Sequence, residues 1–196
     1  MKKKFALKNT LEWTEASLQF IKKNFLIILT LGLVAGFGRA AQLRAFGEIP
    51  GWLDGSLEVV IQSARILIFI FALGQTNISN GIKRIGSIFS GKTESYEKRR
   101  FAWHKLKTNR GRMLWNMAVF LLISVFINMF IDHIAYETCL YVSLRDRGII
   151  NGIASEWTII LFLKNLSVIP LTLIFNAMCL LWLANKLPGV AGPEEA

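Results

Sequence analysis

The chain has 196 residues, 53% of them hydrophobic, with a mean hydropathy of +0.44 and a formal net charge of +10. Ordinary soluble domains are roughly 45–50% apolar even when glycine is counted, so this balance argues against one and against a soluble nucleic-acid binder. Two cysteines, Cys139 and Cys179, exclude a disulfide framework, and high hydrophobicity with positive charge points to a membrane protein with basic cytoplasmic segments.

The start, MKKKFALKNTLEW, does not read as a signal peptide, because a mixed polar stretch follows its lysines. Leu7, Leu11, Leu18 and Ile21 recur at helical spacing, with Glu12, Glu15 and Gln19 elsewhere on the wheel. That pattern predicts an amphipathic helix on the cytoplasmic membrane surface, leading into a first span. Four charge-free stretches follow, at 24–38, 66–82, 113–131 and 165–185. A helical span takes about 20 residues. The first two stretches reach that length if flanking cations snorkel to the interface. The predicted spans are therefore about 22–41, 58–82, 112–133 and 158–186, within a single membrane domain 1–187 and ahead of a disordered tail 188–196.

In span one, Gly32, Gly36 and Ala40 stand four apart. Small residues at that spacing let helix backbones approach closely, within one monomer or between subunits. Span two ends in GQTNISN, which places Gln75, Asn77 and Asn80 in its inner half. Next comes GSIFSGKT, Gly86 to Thr93, which fits the phosphate-loop pattern G-x-x-x-x-G-K-[ST]. A working loop needs a strand before it and a helix after it. Here the polar, basic NISNGIKRI precedes it, and no apolar strand ending in aspartate is available to hold magnesium. No nucleotide is expected; a glycine–serine turn followed by a helix explains the letters. A second amphipathic helix, with Tyr96, Phe101, Trp103 and Leu106 as its apolar contacts, then leads into span three.

Spans three and four carry further polar groups: Asn116, Ser124 and Asn128 in one, and Asn165, Thr172 and Asn176 in the other, where Pro170 is able to kink the helix. Amides in lipid must find partners. Either these groups bond helix to helix, or with Gln75, Asn77 and Asn80 they line a wet path. The run Asp132, His133, Glu137, Cys139 matches no strong zinc spacing. His104 and His133 fall on opposite sides of the membrane, so a haem pair is not expected. No catalytic residue, metal or cofactor is assigned.

The loops set the orientation. Seventeen lysines and arginines fall on one side, ten of them in the connection 83–112, against Arg39, Arg44, Arg145 and Arg147 on the other. By the positive-inside rule both termini and this connection are cytoplasmic. Arg39, Arg65, Asp132 and Lys164 then share one level near the outer face. They are either interface anchors or a polar vestibule in which Asp132 pairs with Arg65 or Lys164.

Lys22 and Asn24 in FIKKNFLIIL match Lys107 and Asn109 in KLKTNRGRML at a shift of 85, the pattern two related hairpins would leave. These two starts and the segment IPLTLIF resemble a loose group of uncharacterised bacterial multi-pass membrane proteins and membrane domains, some of which accompany glycerophosphodiester phosphodiesterases. The resemblance implies a bacterial inner-membrane location. The chain carries no soluble catalytic domain, so it implies no activity. The expected protein is an all-α, four-span integral membrane bundle with cytoplasmic amphipathic helices. Its expected role is that of a non-enzymatic subunit or scaffold of a membrane assembly. Its expected partners are the bilayer, anionic head groups at the basic connection, and a second copy or another membrane protein. The alternative is a small homo-oligomeric channel or transporter lined by the polar faces of spans two to four.

Overall fold

The structure is a computed structural model that describes residues 11–89 and 93–187. Every regular element among them is a helix: α1 (Glu12–Lys23), α2 (Phe25–Gln42), α3 (Gly51–Leu73), α4 (Ile78–Phe89), α5 (Thr93–Thr108), α6 (Arg110–Glu137), α7 (Leu140–Asp146), α8 (Trp157–Leu166) and α9 (Val168–Leu183). Four stretches are long and apolar enough to cross a membrane: Phe25–Gln42, Gly51–Leu73, Arg110–Glu137 and Trp157–Leu183.

Two boundaries differ from the sequence expectation, each for a local reason. The second long helix runs over 51–73 rather than 58–82. It stops at Gly74, and Gln75 and Thr76 take positive φ of 53° and 81°. Asn77 then caps the separate helix α4, its Oδ1 accepting from the Asn80 N–H at 3.2 Å. The letters GQTNISN are thus a turn and an N-cap. The fourth stretch is broken between α8 and α9 at Ser167 (φ −126°, ψ −80°). Pro170 consequently falls in the first turn of α9, where its missing N–H leaves no ladder bond unmade. Asn24 and Asn109, the pair matched in the possible repeat, each stand at the junction between a polar helix and a long apolar one.

The chain divides into two compact units. The first gathers α1, residues 69–122 and the chain from Leu173; the second gathers residues 24–68 and 123–172. The first is built on aromatic contacts. Trp13 is buried beside Trp182 (ring centroids 4.7 Å apart) and Phe175 (6.2 Å), and Phe175 stacks on Phe120 at 4.1 Å. Such pairs contribute about 0.5–1.5 kcal/mol each beyond their buried area. The packed face of α1 is therefore Trp13, Thr14, Ser17 and Phe20, whereas Leu18, from the predicted stripe, is exposed. On α5, Tyr96, Phe101 and Trp103 are exposed as well.

The second unit centres on Ile131, Ala135, Tyr141, Ile150, Ile159 and Ile160. Within it, α2 and α8 approach closely. A Cβ on Gly32 would lie 2.9 Å from the Asn165 carbonyl oxygen, and one on Gly36 would lie 3.0 Å from the Phe162 ring. Ala40 is buried in the same unit. Gly38 faces α3 instead, where a Cβ would come within 2.8 Å of Ile61.

Candidate functional site

The polar groups of the second unit converge on α2, α3 and α8. Arg39 sits in the last turn of α2 and Glu58 eight residues into α3. Their ion pair closes at 3.1 Å. The Glu58 carboxylate also accepts from Gln62 Nε2 at 2.7 Å, one turn along the same helix, and from Gln42 Nε2 at 3.3 Å. Gln42 Oε1 in turn accepts from Arg39 at 2.8 Å, so one acid is held by three donors on two helices.

Two turns further along α3 the situation changes. Arg65 is half-buried and reaches α8, where its Nε and Nη2 donate to Asn165 Oδ1 at 3.2 and 2.9 Å. The Asn165 side chain is almost fully buried, and its Nδ2 donates back to the Leu161 carbonyl at 2.7 Å. That bond fixes which way the amide faces. Arg65 thus meets the oxygen of a neutral amide, and no carboxylate lies within ion-pair distance of it among the described residues. The cluster Arg39–Glu58–Arg65 carries two cations and one acid.

Asp132, expected beside Arg65 or Lys164, is exposed on α6 and makes no ion pair among the described residues. Lys164 is half-buried on α8 and also makes none. Arg65 lies within electrostatic range of Arg39 and of Glu58, the acid that pairs with Arg39. The signal was present in the sequence: Glu58, Gln62 and Arg65 fall at helical spacing. Glu58 is the first residue of the expected span 58–82 but lies inside the observed helix 51–73.

The remaining polar positions are dispersed. Gln75 lies in the turn after α3 and donates to the Lys186 carbonyl at 2.5 Å. Asn77 and Asn80 form the α4 cap. Asn128 bonds the Ser124 carbonyl on its own helix at 2.8 Å, while Ser124 Oγ is buried without a partner. Asn176 is exposed. Asn116 is buried and accepts from the Thr14 hydroxyl at 2.8 Å.

Two cations of the first unit bond to helix ends. Arg84 donates to the Leu73 carbonyl at the close of α3, and Lys105 donates to the Trp182 carbonyl and Asn185 Oδ1 at the close of α9, each at 2.5 Å. Glu12 accepts from Trp182 Nε1 at 2.9 Å, with Arg112 at 3.8 Å. Burial holds the Lys105 ammonium below the usual lysine range, against an opposing pull from Glu12, and Arg112 adds to the lowering.

Gly86 to Phe89, the first half of the phosphate-loop match, are the last turn of α4, so a helix rather than a strand leads into it. Gly91 and Lys92 lie outside the described residues. Both cysteines are free, and among the described residues no three His, Cys, Asp or Glu side chains are grouped to share a metal. No family model matches the chain, and no curated protein or solved structure is significantly similar to it.

Proposed function

We propose that this chain is an integral membrane protein acting as a non-enzymatic subunit or scaffold of a membrane assembly, with both termini and the connection 83–112 in the cytoplasm. The observation that carries the reading is Arg65. A guanidinium inside a 23-residue apolar helix, bonded to a neutral amide and sharing one acid with Arg39, lacks a counter-charge of its own. Ionisable groups within membrane helices are costly and mark functional contacts, each with a partner. The partner fitting this site is a carboxylate on a helix of another chain. A wide apolar surface agrees with this: only 11% of the apolar window of α6 is buried, against 33% and 33% for α2 and α3. The polar side chains of the long helices mostly bond to one another or to their own backbones, which supports a packed subunit over a conducting one.

The test is in-cell photo-crosslinking from position 66, next to Arg65 and exposed. A discrete adduct is expected, lost in Arg65→Gln and retained in Arg65→Lys. An adduct indifferent to both changes overturns the subunit reading, and anion flux through vesicles holding the purified protein alone favours the channel. For the topology, Ser95→Cys is expected to resist an impermeant thiol reagent in intact cells while the exposed Cys139 reacts. Labelling at 95 in intact cells reverses the orientation.

A further inference from the structure

The second unit contains an apolar cavity of about 220 Å³, open on one side. Three stretches wall it: the end of α2 with the turn that follows (Phe37 and Phe46), α7 with its exit (Leu144 and Ile149), and α8 (Phe162 and Leu163). Hydrogen bonds to main-chain carbonyls hold these stretches together. The Asn151 N–H donates to the Ala45 carbonyl at 2.7 Å, and the Tyr141 hydroxyl donates to the Ala154 carbonyl at 2.5 Å. The wall presents no polar surface. A buried water needs two to four polar partners, and apolar cavities of about 150 Å³ stay dry yet admit benzene. The fitting occupant is therefore hydrocarbon.

The rim says what kind. Phe46 and Ile149 are exposed there, at 59% and 53%. Arg44 lies two residues before the first and Arg147 two before the second. Both arginines are exposed, and neither makes an ion pair among the described residues, whereas Arg145 meets Asp146 at 3.6 Å. The turn carrying Arg44 is fixed in a left-handed conformation (φ 60°) by the bond from its N–H to the Ala41 carbonyl at 2.9 Å. Glu48 is the one acid on that turn. An apolar cavity with an exposed arginine, free of ion pairs among the described residues, two positions along the chain from each of two rim residues is complementary to an amphiphile with a negative head.

We propose that this cavity receives one acyl chain of an anionic membrane phospholipid, with Arg44 and Arg147 meeting its head group. This rests on the membrane reading above, and on that topology the lipid comes from the non-cytoplasmic leaflet.

The test uses the full chain in phosphatidylcholine vesicles. These are doped with phosphatidylglycerol or phosphatidylcholine bearing a photoreactive diazirine at the tip of one acyl chain, and adducts are mapped by peptide mass spectrometry. Adducts are expected to concentrate in residues 37–46, 140–150 and 158–163. The anionic probe is expected to exceed the zwitterionic one by about fivefold per arginine. Arg44→Asn with Arg147→Gln should abolish that preference. Ala40→Phe, which fills the cavity, should remove these adducts and leave those on α6 unchanged. Because Ala40 is buried and its replacement endangers folding, the surface arginine pair is the deciding variant. Equal labelling by both heads in the wild type overturns the anionic assignment. Adducts spread along α6 as strongly as at the cavity overturn the site. Extraction of the protein from vesicles by alkaline carbonate overturns the membrane reading and this proposal with it. Retention with uniform labelling overturns this proposal alone.

Discussion

The two units manage positive charge differently. In the first, Arg84 and Lys105 each reach the carbonyl end of a helix, where about half a negative charge is already present. In the second, Arg39 requires a carboxylate, and Arg65, in the body of α3, meets only an amide. Mid-helix carbonyls are used in the hydrogen-bond ladder, so a cation there gains nothing from the helix dipole. Position along the helix thus separates a cation that finishes the fold from one left to recognise something else.

The sharpest way to probe the packing behind this contrast is through glycine. A Cβ on Gly81 would overlap the main-chain oxygen of Ile70, whereas one on Gly111 would meet nothing within 4 Å. Gly81→Ala should cost more than about 4 kcal/mol, because neither backbone can yield without losing the α3–α4 turn that positions Arg84. Gly111→Ala should be neutral or stabilise by up to about 1 kcal/mol. Denaturation in detergent reads both, and equal stabilities would remove the tight turn from the account. Next in size, Asn116→Ala leaves the buried Thr14 hydroxyl without its acceptor and should cost about 1–3 kcal/mol. Thr14→Val in the same chain should recover part of that loss in a double-mutant cycle; simple additivity would show the bond to be inert.

Arg65→Met carries the comparison itself. Made together with Asn165→Leu, so that neither an acid nor the buried amide oxygen is left stranded, it should be neutral or raise the stability of the isolated protein by up to about 1 kcal/mol, while abolishing the position-66 adduct. Glu58→Gln should act in the opposite sense on stability, since Arg39 then loses its carboxylate. If both variants destabilise alike, Arg65 is an ordinary structural group.

The smallest expected effect belongs to Lys105. Burial lowers its proton affinity in the folded state relative to the ordinary 10.5, so the unfolded chain binds the proton more tightly. Stability contributed by this site should therefore rise as pH climbs through the lowered value and level off near the unfolded one. A small gain in Tm as the pH rises toward the ordinary 10.5, absent from Lys105→Met, is the signature. A wild-type profile matching the variant removes Lys105 from the linkage.

Much of the fold was legible because long apolar runs leave few alternatives. The helix class and the four long helices follow from run length and from charges at the ends. The glycines of α2 were conspicuous because spacing alone marks a close approach. The differences share one cause: a polar letter in an apolar run does not say which backbone group it serves. GQTNISN, expected in the inner half of a span either to bond helix to helix or to line a wet path, is a turn with an Asn77 cap. Asp132 looked like the obvious acid, yet Glu58 is the one with donors around it, a fact of tertiary approach between α2 and α3 that no single-helix pattern contains. The packed face of α1 is likewise set by tertiary contact rather than by periodicity. Trp13 is selected by Trp182 and Phe175, far away in sequence, while the leucine stripe is what periodicity sees.

The hydrogen bond from Trp182 to Glu12 joins residues 170 apart, and the Trp13 contacts span a similar length. During synthesis at about 5–20 residues per second, α1 must therefore wait roughly ten to thirty seconds for the helix that covers its tryptophan. The second unit, whose segments end at Thr172, has all its residues made before the first does. A ribosome stalled before α9 would leave a nascent chain whose Trp13 lacks both of its aromatic neighbours.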